Sequence, residues 1–154
     1  MTPQQLAELR GDEGTELRVY DDATGEPIVP GSVVKGHPTI GTGRCLDTNG
    51  ISDTEAEYLL SIDVARCEMA LGKLGWWLAL DPVRKGVCVN LAFNMGVAGL
   101  LTFRLMIREL DAKDWDRAVA ELLDSRWAEQ VQPSRRDRLV AQLRTGEIGG
   151  AAVA

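Results

Sequence analysis

Glu13-Gly14-Thr15-Glu16-Leu17-Arg18-Val19-Tyr20-Asp21-Asp22, followed downstream by Thr39-Ile40-Gly41-Thr42-Gly43, is the stretch on which the reading of this chain turns. Ahead of it, Thr2-Pro3 offers a helix N-cap with proline at the first helical position. Leu6 and Leu9 share one side of that helix, which should run to about Asp12 and end at Gly14. Glu13 then falls at a helix C-terminus, where the dipole disfavours a negative charge and so suits a proton donor. Leu17 and Val19 alternate with polar neighbours, which predicts a strand carrying Asp22 to its end or to a turn. Two carboxyl groups in unlike surroundings are what acetal hydrolysis needs: one protonated for the leaving oxygen, the other ionised to steer water or stabilise positive charge. Among 23 acidic residues such a pair alone is weak evidence, but the ordered set is much stronger.

Outward from this stretch the texture changes twice. Gly25, Pro27, Pro30, Gly31, Gly36 and Pro38 punctuate short strands and turns up to about Gly50, which reads as a small β lobe. Ser52-Asp53-Thr54-Glu55 then forms a capping box, and Ala56, Leu60, Val64, Cys67 and Leu71 make one apolar stripe of a long helix ended by Gly72 and Gly75. The remainder reads as helical. Asp81-Pro82 opens a helix that is apolar nearly all round from Gly86 to Met95, hence buried and central, and is broken by Gly96 and Gly99. Shorter helices are expected at 102–110, 115–123, 126–130 and 133–143, and the Gly149-Gly150-Ala151-Ala152 end reads as frayed.

Composition sets bounds on function. A chain of 154 residues with 45% hydrophobic and 26% charged side chains fits one folding unit with a proper core. No apolar run approaches the roughly 20 residues a membrane helix requires, and the N-terminus carries no secretory signal pattern. Cys45, Cys67 and Cys88 match neither a zinc pattern nor a disulfide framework, so they read as reduced core thiols made in a reducing cytoplasm. A formal charge of −6 argues against nucleic-acid binding and steers poorly toward anionic polymers. Arg135, Arg136, Arg138 and Arg144 gather near the C-terminus as a local basic patch or an ordinary solvated helix face.

The segment from Glu13 to Gly43 resembles the active-site region of the phage lysozymes of glycoside hydrolase family 24. The likeness extends through Ser52 to Val64, Asn90 with Phe93-Asn94-Met95-Gly96, Ser125-Arg126-Trp127, Pro133, Arg135, Arg138 and Arg144-Thr145-Gly146, in the family's order. It implies an α+β, lysozyme-like fold with a β lobe at 14–51, a connecting helix at 52–72, and a helical lobe from 1–13 and 73–146. A cleft between the lobes and a tail at 147–154 complete that expectation. By the same resemblance Glu13 is the general acid, Asp22 the second carboxylate, and Thr39 a hydroxyl on the sugar face where water attacks. Inversion would require carboxyl groups about 6.5–9.5 Å apart. Arg135 matches an arginine that pairs with the catalytic glutamate, and Asn94 an amide at the cleft edge.

Other readings stand beside these. Asp21 competes with Asp22 as the working carboxylate, and register with Glu13 and Tyr20 favours Asp22. Glu16 should point to solvent, Thr39 fits an ordinary strand threonine, and Arg135 a surface cation. Asn94 fits core or turn capping. Trp76, Trp77, Trp115 and Trp127 read as core more readily than as sugar platforms, and His37 as an exposed loop residue rather than a base. The run between Asp22 and Thr39 is longer than the family's and suggests an added hairpin beside the cleft. Arg44 replaces a common histidine, which suggests an Arg44–Asp63 pair.

The resemblance implies an endolysin that hydrolyses the β-1,4 bond between N-acetylmuramic acid and N-acetylglucosamine in bacterial peptidoglycan. The alternatives are a lytic transglycosylase and a non-catalytic wall-binding module. A monomer is expected, with no cofactor, no metal and no membrane insertion. It would be made in the host bacterial cytoplasm and reach the wall after membrane permeabilisation, with dependence on a holin.

Overall fold

Thr2 does cap the first helix: its Oγ1 accepts from the Gln5 N–H at 3.2 Å, and Gln5 Oε1 accepts from the Thr2 N–H at 2.8 Å. Two N–H groups at the helix start are thereby satisfied, and α1 runs over Pro3–Glu13 until Gly14 turns the chain with φ +71°. The computed structural model describes residues 1–149 of the chain. The expected frayed end at Gly149-Gly150-Ala151-Ala152 therefore falls, from Gly150 on, outside the described residues.

The chain divides into two compact units, Met1–Glu57 and a second beginning at Tyr58. In the first, β1 (Glu16–Asp21), β2 (Pro38–Gly41) and β3 (Arg44–Cys45) form an antiparallel sheet in the order β1-β2-β3. Tyr20 lies opposite Thr39 and Asp21 opposite Pro38, with an irregularity between Glu16 and Tyr20. The long run after Asp22 turns back at once. Asp21 N–H donates to Glu26 O at 2.9 Å and Ile28 N–H to Val19 O at 3.0 Å, so this segment lies along the other edge of β1. The sequence suggested an added hairpin; the segment instead makes a tight turn and a single isolated bridge, Tyr20 to Pro27, without a further strand among the described residues. A one-turn helix, α2 (Leu46–Asn49), follows β3 and was not foreseen, being too short for any periodicity.

The capping box opens α3 (Asp53–Leu71): Ser52 N–H donates to Glu55 Oε2 at 2.8 Å, and Ser52 Oγ accepts from Glu55 N–H at 3.4 Å. The expected Arg44–Asp63 pair does not form. Arg44 Nη1 instead bonds Glu55 Oε1, and Arg44 Nε donates to Gly50 O at 2.8 Å. The reason is reach: Asp63 lies eight residues further along α3, about 12 Å up the helix axis, and pairs with Arg66 at 3.1 Å. Arg44 thus joins β3 to the residues that start α3.

In the second unit the helices are the end of α3, α4 (Gly75–Leu78), α5 (Pro82–Leu100), α6 (Arg104–Asp111), α7 (Trp115–Leu123), α8 (Arg126–Gln130) and α9 (Pro133–Thr145). As its all-round apolar sequence predicts, α5 is central, burying Val87, Cys88, Val89, Leu91 and Ala92. Gly96 breaks it, with φ +79° and ψ 154°, whereas Gly99 stays helical and does not. Leu71, Leu100, Met106, Leu110, Val119, Leu122, Leu139 and Leu143 complete the core. Trp77 and Trp127 are buried within it, while Trp76 and Trp115 pack against it. Cys88 is a core thiol and Cys67 packs against the core, but Cys45 is not there: it sits before α2, with its Sγ 2.8 Å from Asp47 Oδ1.

Arg84 ties this unit together. Although buried, it donates to Leu143 O at 2.8 Å, Arg144 O at 2.7 Å and Asp81 Oδ2 at 2.6 Å, and its guanidinium lies 3.9 Å above the Trp115 ring. A cation is thereby placed on the open carbonyls at the C-terminus of α9, where the dipole is negative. Gly146, in the left-handed conformation at φ +74°, ends that helix, and a Cβ there would come within 2.5 Å of Arg84 Nη1.

Arg84→Met should lower unfolding free energy by about 3 kcal/mol, because it leaves two helix-end carbonyls and Asp81 without their donor. Urea denaturation would measure it. In thermal melts, Arg44→Ala should lower Tm and Asp63→Ala should not; the reverse order would restore the Asp63 pairing.

Candidate active site

Two adjacent aspartates end β1 and meet opposite fates. Asp21 is 4% exposed, and its carboxylate accepts three main-chain N–H groups: Ala23 at 3.0 Å, Lys35 at 2.6 Å and Gly36 at 2.9 Å. The Lys35 amide does most to hold the Asp21 carboxyl below its ordinary range, with the Gly36 and Ala23 amides adding to it against the opposing cost of burial. This side chain closes the inserted loop at both ends. Three main-chain hydrogen bonds and near-complete burial commit it to that loop.

Asp22 is exposed, and a pair of main-chain contacts to His37 holds it. The His37 N–H donates to Asp22 Oδ1 at 2.7 Å, and the Asp22 N–H donates to His37 O at 3.2 Å. One carboxylate oxygen is therefore fixed while the other stays open. Gly36 makes this possible: a Cβ at that position would lie 2.1 Å from Asp22 Oδ1 and 2.7 Å from Ala23 Cβ. Glycine is required here for close approach rather than for an unusual φ, a requirement with no signature in the sequence.

Thr39 lies on β2 opposite Tyr20 and is 3% exposed, with Oγ1 donating to His37 O at 3.3 Å. Its hydroxyl proton is committed, so Oγ1 offers only lone pairs, and its burial gives it the packing of an ordinary strand threonine as well. Glu13 is the last residue of α1 and stands at the surface. The β2–β3 turn folds toward it. Gly41 and Gly43 take φ of +67° and +73°, and a methyl placed on Gly43 would sit 3.8 Å from Glu13 Oε2. Thr15 and Thr42 hydroxyls, 3.3 Å apart, tie that turn to the residues following α1. Glu16 is exposed, as expected, but so is its neighbour Leu17, so burial does not alternate at this end of β1.

The other two expected residues belong to the second unit. Arg135, on α9, donates from Nε and Nη2 to Asn90 Oδ1 at 3.0 and 2.7 Å, so Asn90 orients the guanidinium. Asn94, on α5, accepts from Trp127 Nε1 at 3.0 Å. Both line up with polar groups of that unit, and Asn94 and Trp127 border a hollow of about 640 Å³ that Phe103 and Arg126 also line. The basic patch is partly neutralised: Arg136 meets Asp137 at 2.8 Å and Arg144 meets Asp116 at 3.0 Å.

His37 is exposed as expected but has a partner. Its Nδ1 lies 2.9 Å from Asp47 Oδ2, and this contact chiefly raises the imidazole above its ordinary value, with Asp22 contributing less. The Cys45 thiol, then His37, hold Asp47 down at about 2. Sequence reading missed this group because its members are scattered across a loop, a strand and a one-turn helix.

Asp21 supplies a pH test. A carboxyl depressed by folding stabilises the fold at pH above its ordinary value of 3.8, and that contribution is lost as pH falls through the lowered value. Asp21→Asn should therefore lower Tm at pH 7 and flatten the acid limb of stability against pH. Gly36→Ala should also unfold more easily, since no side chain fits beside Asp22; circular dichroism melts check both.

Comparison with known proteins adds an independent line. The family described as Phage lysozyme matches residues 10–142. The protein named Probable T4-type lysozyme 1 of Dictyostelium discoideum is 25% identical over 159 residues, which cover 91% of this chain and 93% of that protein. The pre-baseplate central spike protein of Enterobacteria phage T4 is 29% identical over 158 residues, again 91% of this chain but only 27% of the spike protein. Probable T4-type lysozyme 2 of Dictyostelium discoideum is 25% identical, covering 91% of this chain and 93% of its own length. Glu13, Asp22, Thr39, Asn94 and Arg135 all fall inside the matched span, and on the strength of that span this chain belongs to the phage lysozyme family.

Proposed function

We propose that this protein is a muramidase that hydrolyses the β-1,4 bond between N-acetylmuramic acid and N-acetylglucosamine in bacterial peptidoglycan. Membership of the phage lysozyme family supports peptidoglycan hydrolysis in general. The observation that carries the residue assignment is the sorting of the two aspartates: Asp21 is consumed by three main-chain N–H groups, whereas Asp22 keeps an open oxygen at the surface.

In this scheme Glu13 gives its proton to the leaving glycosidic oxygen, and Asp22, ionised, takes a proton from the attacking water or steadies the positive charge growing on the sugar ring. Thr39 Oγ1, its own proton engaged by His37 O, accepts from that water and sets its line of approach. Water addition on the face opposite the leaving group gives inversion. Arg135, oriented by Asn90, and Asn94, oriented by Trp127, are the residues of the second unit proposed to support substrate binding. The proposed setting is the wall of a host bacterium, reached from within once its membrane has been breached.

Purified wild-type protein should solubilise peptidoglycan, and mass spectrometry should show reducing muramic acid ends. Ends lighter by one water would mean transglycosylation and overturn hydrolysis. Glu13→Gln and Asp22→Asn should each lower the rate by about a hundredfold or more while melting like wild type. Thr39→Val separates the two roles of that residue: a fall in kcat with unchanged Tm supports positioning of water, and unchanged kcat assigns it to packing.

A further inference from the structure

Three side chains outside the hydrolytic scheme converge at one point of the first unit. His37 Nδ1, Cys45 Sγ and the Asp47 carboxylate all lie within 4.8 Å of one another. Individual pairs are closer, with Nδ1 to Asp47 Oδ2 at 2.9 Å and Sγ to Asp47 Oδ1 at 2.8 Å. Thr48 Oγ1 sits 3.3 Å from Asp47 Oδ1 and braces that carboxylate from behind. We propose that His37, Cys45 and Asp47 form a binding site for a thiophilic divalent transition-metal ion, with zinc the best fit.

The donor set argues for this class of ion. A thiolate, an imidazole nitrogen and a carboxylate oxygen suit Zn²⁺ and its neighbours, whereas Mg²⁺ and Ca²⁺ take oxygen alone. Tetrahedral bonds to nitrogen, oxygen and sulfur place neighbouring ligand atoms about 3.3–3.6 Å apart. The observed spacing brackets that range, so small side-chain rotations suffice. His37 and Asp47 are exposed and Cys45 half-buried, which leaves a fourth position open to water.

Binding replaces protons with metal. Cys45 loses its thiol proton to solvent, and the proton between His37 Nδ1 and Asp47 leaves so that the nitrogen lone pair faces the ion. The ligands come from the end of the inserted loop, from β3 and from α2, so one ion would staple three segments that no disulfide joins. His37 is also the residue whose main chain grips Asp22. An ion here therefore stiffens the segment carrying that carboxylate, and it does so whether or not Asp22 is catalytic.

The test uses the full-length chain, reduced and stripped of metal, titrated with Co²⁺ as a spectroscopic stand-in. Wild type should develop a thiolate-to-cobalt charge-transfer band and tetrahedral d–d bands at one equivalent, and Zn²⁺ should bleach both. Cys45→Ser should abolish the charge-transfer band, Cys67→Ser should keep it, and His37→Gln should weaken Co²⁺ binding about tenfold or more. Zn²⁺ should raise Tm of wild type and leave Cys45→Ser unmoved. No charge-transfer band in wild type, or one that survives Cys45→Ser, overturns the site. If Cys45→Ser does not fold, His37→Gln decides, because its side chain is exposed: unchanged Co²⁺ affinity overturns the proposal.

Discussion

One carboxylate, that of Asp21, organises the N-terminal unit. A long loop between β1 and β2 would cost little extra closure entropy by length alone, but it would leave the groups around it undefined. Three main-chain N–H groups from Ala23, Lys35 and Gly36, converging on one buried carboxylate, fix both ends of that loop. The neighbour gains from this. With Gly36 locked against β1, the His37 amide meets Asp22, and Thr39 pairs across from Tyr20. Placement of the candidate base is thus inherited from a residue that takes no part in the proposed chemistry.

A similar division of labour holds in the helical unit. The apolar helix α5 supplies the buried surface, but Arg84 at its start determines how α9 ends, by donating to the carbonyls of Leu143 and Arg144. Asn90 and Asn94, one helical turn apart on α5, then orient Arg135 and Trp127. Hydrophobic burial provides the driving force in this unit, and a few hydrogen-bonded polar groups specify which arrangement is adopted. Arg84, the buried charge among them, is satisfied by main-chain and side-chain partners, which is the condition under which burial of charge is tolerated.

The long run between β1 and β2 is held against the sheet. Rather than forming a free excursion, residues after Asp22 turn at once and lie along the outer edge of β1, leaving Val19 and Asp21 bonded on that side. The insertion also delivers His37 to the neighbourhood of Asp47 and Cys45. The same loop end thus serves both Asp22, through its main chain, and the proposed metal site, through its side chain.

Local sequence determined a great deal here. Caps at Thr2, Ser52 and Asp81, the apolar run of α5 and the turn glycines are all nearest-neighbour effects, so helix starts and the presence of short strands could be read directly. The candidate carboxylates were legible for the same reason, since they sit at element ends that those signals mark. What remained hidden were contacts between residues distant in sequence. Arg44 chose Glu55 over Asp63 because three-dimensional reach, not complementary charge, selects a partner. Gly36 owes its need for a missing side chain to Asp22 fourteen positions earlier. The meeting of His37, Cys45 and Asp47 likewise depends on how a loop, a strand and a short helix close upon one another, and only the folded chain decides that.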